Sequence, residues 1–431
     1  MAKFDTLALH AGYNSADHNH SVQVPIYATT AYDLVDTDRA DRLFAFSENA
    51  PLYSRVTNPT VAVLEERVAA LDGGIASLAV ASGMSAISIA ILNAAEKGTV
   101  LTSRYLYGGS ADSFLRIYEP LGITIKPTDA IYDTDKLDAE ITDDVKAIYF
   151  ETISNPNAVI ADIEKIAEIA HKKGVAVIVD NTFATPYLLQ PIKHGADVVI
   201  YSATKALSGH GNIIGGIIVD SNKFNWANGR YPQFERKEYT IRDRKTGKNR
   251  SFHEAFPHVP FVFRSRLVWL NYFGAALSPF DAYLAIIGIE TLSERLKKQT
   301  ETAVKLVEWF EGNPNVEWVK YPTAKTTTAE QKALFAKYLP KGAGGVFTFG
   351  FKGTEAEQNK FLNSLKLLSY HVNVGDAKTL ISNTAKTTHS ELVADNQALA
   401  DILPNTLRIS TGLEDLDDII ADLEQAFAAA K

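Results

Sequence analysis

Along the chain's 431 residues the spacing of apolar positions changes several times. Residues 1 to about 57 are polar and irregular and hold no sustained period, which predicts an arm. From residue 60 a helical spacing sets in. Val61, Leu64, Val68 and Leu71 fall on one face, and Gly73-Gly74 stops the run. Short, nearly continuous apolar segments then alternate with helices. Residues 147–151, 175–180, 197–202 and 215–220 read as strands, and their unbroken apolar character suits a parallel sheet covered on both faces. Residues 162–173 read as a helix, with Asp162 and Glu164 in its first turn, His171-Lys172-Lys173 in its last, and Gly174 as the stop. That charge order complements the helix dipole. Residues 221 to about 262 break the pattern. They are polar and aromatic, and their basic run (Arg242, Arg244, Lys245, Lys248, Arg250) predicts a solvated loop. After residue 280 helical spacing returns at Leu292, Leu296, Ala303, Leu306 and Phe310. An apparent strand at 345–351 and a helix at 415–429 follow.

The length exceeds the roughly 250–300 residues at which single cores stop growing, so more than one domain is expected. A net charge of -8 argues against a general nucleic-acid binder. The absence of cysteine removes disulfides, thiolate metal sites and a cysteine nucleophile. Residues 1–10 lack a basic segment followed by an apolar run, and the longest apolar runs are far too short to span a bilayer. A cytoplasmic protein that engages neither membrane nor nucleic acid is the expectation.

Three places carry candidate chemistry. Ser202-Ala203-Thr204-Lys205 follows directly on an apolar strand, and ligands of open α/β sheets bind at the carboxyl ends of strands. A lysine there becomes a nucleophile once desolvation or a nearby cation lowers its pKa. It reads equally well as a surface lysine at a strand end. A second strand ends in Asp180-Asn181-Thr182, where a carboxylate can keep a pyridine nitrogen protonated or simply cap a turn. The segment Ala81-Ser82-Gly83-Met84 opens a helix. Its unpaired first-turn amides suit an anion, and Gly83 allows close backbone approach. No stretch fits the P-loop or the dinucleotide-binding glycine pattern.

Taken in order, these segments resemble the Cys/Met-metabolism family of pyridoxal-phosphate enzymes, the group of cystathionine γ-synthase. Further matches are Tyr53-Ser54-Arg55, Asn58-Pro59-Thr60, Tyr107-Gly108-Gly109, Glu151 with Asn155-Pro156-Asn157, Ser208-Gly209-His210, Gly375-Asp376, Thr388-His389-Ser390 and Arg408-Ile409-Ser410. They span nearly the whole chain. The resemblance implies an α/β, fold-type-I transferase (aspartate aminotransferase-like), with a mostly parallel central sheet and a smaller α/β C-terminal domain. It divides the chain into an arm (1–57) contacting a neighbouring subunit, a large cofactor domain (58–289, with an insertion at about 221–262) and a C-terminal domain (290–431). It also implies roles. Lys205 binds pyridoxal 5'-phosphate as a Schiff base and shuttles protons. Asp180 pairs with the ring nitrogen, and Tyr107 stacks on the ring and assists as acid or base. Ser82, Gly83, Met84, Ser202 and Thr204 hold the phosphate, with Tyr53 and Arg55 reaching in from a neighbouring subunit of a dimer of dimers. Asn155 lies near the phenolic oxygen, and Arg408 binds the substrate carboxylate beside Asn155 and Tyr53. No metal is implied.

Within the family, methionine γ-lyases commonly carry cysteines where this chain has Gly109 and Ala184. The insertion, together with Gly274-Ala275-Ala276-Leu277-Ser278-Pro279-Phe280, resembles O-acetylhomoserine sulfhydrylases. Relatives usually have His-Pro shortly after the Asp376 region, where Asn383-Thr384 stand here. The implied reaction is γ-replacement: acetate leaves an amino-acid ester, sulfide or methanethiol adds, and homocysteine or methionine forms. A carbon–sulfur lyase, a cystathionine γ-synthase and an aminotransferase are the alternatives.

Overall fold

The computed structural model describes residues 2–243, 246–390 and 400–431. Arg244 and Lys245 of the basic run lie outside them. Seven strands form the larger sheet: β1 (Ala76–Val80), β2 (Gly98–Thr102), β3 (Ile123–Pro127), β4 (Val145–Glu151), β5 (Ala176–Asp180), β6 (Val198–Ser202) and β7 (Gly216–Asp220). Their order is β1-β7-β6-β5-β4-β2-β3. The β-branched runs of β5 and β6 are buried on both faces, as expected of a covered parallel sheet. The sheet is mostly parallel, as expected, but β7, whose apolar run was grouped with the parallel strands, runs antiparallel to both β6 and β1. Its connection to β6, residues 203–215, contains no helix. A parallel return needs a crossover, usually helical, so the chain doubles back instead.

Helix Pro59–Asp72 starts where the Asn58 side chain accepts the amides of Thr60 and Val61, and it ends at Gly73 in the left-handed conformation. Helix Ile163–Lys172 is capped by Asp162, which accepts the Lys165 amide. The arm is less irregular than its sequence suggests. Residues Phe4–His10 form a helix with Ala8 buried, and Arg67 Nε donates to the Ala11 carbonyl at 3.0 Å. The run is too short to display a period, so packing decides its form.

The segment after β7 departs furthest from expectation. Its polar spacing predicts a solvated loop, yet Trp226, Tyr231, Phe234, Phe252 and Phe261 are buried in one cluster with helix Gly83–Ala95. The rings of Trp226 and Phe261 stack at 4.5 Å, and the Tyr231 hydroxyl donates to the Lys146 carbonyl at 2.7 Å. Burying each such ring stabilises by about 1.5–3 kcal/mol, enough to fix a segment whose helices and strands are only short. The basic residues Arg242 and Lys248 stay exposed, in and beside a hairpin of β8 (Glu238–Arg242) and β9 (Asn249–Arg250).

A second sheet follows helices Pro279–Glu290 and Leu292–Glu311. It contains β10 (Val316–Lys320), β11 (Val346–Phe351), β12 (Ser369–Tyr370), β13 (Leu380–Asn383) and β14 (Thr406–Ser410), in the order β10-β11-β14-β13-β12. It is antiparallel except where β12 meets β13. Among the described residues no helix is long and apolar enough to cross a membrane.

Candidate active site

The carboxyl ends of β4, β5 and β6 open into a cavity of about 270 Å3. Ser82, Gly83, Met84, Tyr107, Asn155, Asp180, Ser202, Thr204, Lys205 and Arg408 all line it. Tyr53 and Arg55 do not. They lie on the surface of the same chain, with the Arg55 guanidinium 5.2 Å from the Tyr53 ring centre.

Each strand end is locked to the next. Glu151, Asp180 and Ile200 are register partners across β4, β5 and β6. The Ser202 amide donates to Thr182 Oγ1 at 2.9 Å. The Asp180 carboxylate accepts the Thr182 amide at 2.9 Å and the Tyr149 hydroxyl at 3.4 Å. Burial pushes the Asp180 carboxyl above its ordinary range, and its hydrogen bonds with Thr182 and Tyr149 oppose that shift. Burial and then the neighbouring Asp180 carboxylate push Glu151 well up. Among the described residues neither acid is within ion-pair distance of a cationic side chain. Two buried acids without a cationic partner among the described residues stand at this end of the cavity, and a cationic ring nitrogen beside them would favour their ionised form.

The opposite requirement is met at helix Gly83–Ala95. Ser82 caps it by accepting the Ser85 amide at 3.0 Å, and the first-turn amides of a helix have no intrahelical carbonyl to pair with. A Cβ built on Gly83 would lie 2.7 Å from Ser202 Cβ, so only glycine lets the helix start and the β6 end share one cradle. That cradle suits a phosphate. Thr204 Oγ1 is already engaged, accepting the Gly215 amide at 3.0 Å and donating to its carbonyl at 3.3 Å. An acidic site and an anion cradle lining one cavity fit pyridoxal phosphate.

Lys205 lies between these ends and the C-terminal sheet. Burial first, and then the Arg408 guanidinium, push its amine down to about 8, against the pull of Asp376. Its Nζ donates to Asn373 Oδ1 at 2.5 Å, and Asn373 Nδ2 donates to Asp376 Oδ1 at 2.7 Å. Arg408, on β14, is buried. Its Nη1 donates to Asn155 Oδ1 at 2.9 Å and its Nη2 to the Asn373 carbonyl at 3.3 Å, while Nε is buried without a partner. No carboxylate among the described residues pairs with it. Burial lowers its pKa to about 10.

Sequence reasoning missed Asn373, which touches the lysine amine. It sits in a loop with no period, and its only signal is its place two residues before Gly375. Glu151 was matched but given no role. The apolar wall of Ile87, Ile153, Ile214, Val372 and Val374 was also unread, because these residues come from four separate segments.

Comparison with known proteins agrees with this geometry. The family model described as "Cys/Met metabolism PLP-dependent enzyme" matches residues 5–428. The chain is 41% identical to a homocysteine synthase of Schizosaccharomyces pombe, over 99% of this chain and 98% of that one. It is 40% identical to an O-acetyl-L-homoserine sulfhydrylase of Leptospira meyeri, over 98% and 96%. Among solved structures, a Campylobacter jejuni protein assigned as an O-acetylhomoserine (thiol)-lyase superposes with a TM-score of 0.92 at 38% identity, covering 99% of this chain and all of that one. That protein carries N'-pyridoxyl-lysine-5'-monophosphate at position 205 of its own chain. The chain described here belongs to the Cys/Met-metabolism family of pyridoxal-phosphate-dependent enzymes.

Proposed function

We propose that this enzyme replaces the γ-acetoxy group of O-acetyl-L-homoserine with sulfide, or with methanethiol, giving L-homocysteine or L-methionine and acetate. The observation that carries the reading is the make-up of the cavity. Apart from Lys205, Arg408 is the only cationic side chain among the described lining residues. One guanidinium without a carboxylate partner can take one substrate carboxylate bidentately. A cysteine acceptor brings a second carboxylate, and Arg242, Lys248 and Arg250 of the insertion do not line the cavity. A small inorganic or one-carbon thiol needs no second clamp.

Pyridoxal phosphate, when bound, supplies the electron sink that makes the substrate's α- and β-protons removable. The protein supplies the rest. Arg408 seats the α-carboxylate and so aims the α-carbon. Lys205 Nζ, with its basicity lowered by burial, takes the α-proton and returns protons later in the cycle. Asn373 Oδ1 keeps that amine in place between transfers. Tyr107 covers the ring and assists as an acid or base. Asp180 keeps the ring nitrogen protonated, and Ser82, Gly83, Met84, Ser202 and Thr204 hold the phosphate. Asn155 steadies Arg408. The apolar wall excludes the water that would divert the reaction towards a 2-oxo acid.

The same reading assigns residues 1–57 to an arm, 58–289 to the cofactor domain and 290–431 to the substrate domain. Tyr53 and Arg55 complete the site of a neighbouring subunit, with two such dimers forming a tetramer in the cytoplasm. Steady-state rates with sulfide, methanethiol and cysteine as rival acceptors test the function. Sulfide or methanethiol should be strongly preferred. Cysteine as the best acceptor would make the enzyme a cystathionine synthase instead.

A further inference from the structure

Glu151 is buried, lines the cavity and pairs with no cation among the described residues. A buried carboxylate held in that way is costly unless its oxygens are used, and both are. Oε1 accepts the Tyr107 amide at 2.6 Å, and Oε2 accepts the Asn155 amide at 2.9 Å. These amides belong to different walls of the cavity. Tyr107 begins helix Gly108–Arg116, whereas Asn155 lies in the loop after β4 and accepts from Arg408 Nη1 at 2.9 Å. A neutral glutamine could accept at only one of its two positions, because its nitrogen would face an N–H. A carboxyl group presents an acceptor oxygen to both walls at once, which an amide cannot.

We propose that Glu151 is a positioning residue that holds the ring-covering Tyr107 and the Asn155–Arg408 carboxylate clamp in fixed relation. It thereby sets the orientation of bound pyridoxal phosphate and the affinity for the substrate carboxylate together. The substrate half rests on the function proposed above; the cofactor half rests only on pyridoxal phosphate occupying this cavity. A purely structural role would cost stability but leave the cofactor's optical activity and the split between KM and kcat unchanged.

The test compares the parent holoenzyme with Glu151→Gln, alone and in an Asn155→Ala background. The readouts are visible circular dichroism of the bound cofactor, pyridoxal phosphate affinity of the apoenzyme, and KM and kcat for O-acetylhomoserine with sulfide. Glu151→Gln is expected to lower the cofactor's dichroic band and its affinity. It should raise KM about tenfold, the scale of one buried hydrogen bond to a charged group. In the Asn155→Ala background the same substitution should raise KM less than about threefold, since the path to Arg408 is already cut. An unchanged band and affinity with KM within about twofold of the parent, or KM effects that multiply in full, would overturn the proposal. If Glu151→Gln does not fold, Glu151→Asp keeps the charge but is too short to reach both amides, and the same readings decide. If the parent itself makes no homocysteine, the proposed function fails, while the dichroism and affinity still judge Glu151.

Discussion

Replacing Arg408 with alanine tests its proposed role as the substrate clamp. In the structure Nη1 and Nη2 are steadied by Asn155 and Asn373, and Nε is buried without a partner. The guanidinium is therefore both anchored and under-satisfied, ready for a carboxylate. A hydrogen bond to a charged group contributes about 1.5–3 kcal/mol, so a bidentate pair contributes roughly 3–6 kcal/mol. Water entering the space left by the side chain offsets part of this, which puts the expected loss near the lower end, about 3–4 kcal/mol. At 1.4 kcal/mol per factor of ten, kcat/KM for O-acetylhomoserine should fall roughly 150- to 700-fold. Arg408→Lys keeps the charge but loses the fork, and should fall only about 10- to 30-fold. The assay is initial-rate homocysteine formation with O-acetyl-L-homoserine and with its α-amide. The parent should strongly prefer the acid, and Arg408→Ala should barely distinguish the two. A variant that folds normally and keeps kcat/KM within about fivefold of the parent, or keeps the preference for the acid, would refute the clamp.

Lys205 gives a pH-dependent prediction. Its folded-state pKa of about 8 lies below the unfolded value of 10.5, so between these the unfolded chain binds more protons and apoenzyme stability rises with pH. The penalty, about 3 kcal/mol, is fully present below pH 8. The apoenzyme's Tm should therefore climb relative to Lys205→Ala as pH goes from 7 to 10; a constant difference would contradict the depressed pKa. Gly83→Ala places a Cβ 2.7 Å from Ser202 Cβ and should weaken pyridoxal phosphate affinity by an order of magnitude or more, measured by titrating apoenzyme; unchanged affinity would remove the cradle argument. Mixing inactive Arg55→Ala with inactive Lys205→Ala subunits should restore activity, because one site in the hybrid is intact; no recovery in a verified mixed dimer would count against sites shared between subunits.

What could be read from sequence follows from where the information lies. The apolar runs of β5 and β6 are long enough to show themselves, and Asp180 and Lys205 were found because they lie at or just past the ends of those runs. Ser82 and Gly83 were legible as a helix start. The antiparallel course of β7 was not, since apolar content does not encode direction, and only the helix-free connection gives it away. The aromatic layer formed by Trp226, Tyr231, Phe234 and Phe261 was hidden because it has no period and its partners are on helix Gly83–Ala95, far away in sequence. Asn373 was unread, and Glu151 was matched without a role, for the same reason. Their chemistry depends on partners in other segments, and nothing local reveals what they bind.

Whether sulfide intercepts the substrate in this cavity is decided by incubating the holoenzyme with O-acetyl-L-homoserine, with and without sulfide, and identifying every product. Homocysteine and acetate are expected when sulfide is present, with little turnover without it. Oxo acid and ammonia formed as fast without sulfide as with it would contradict the account and make the enzyme a lyase.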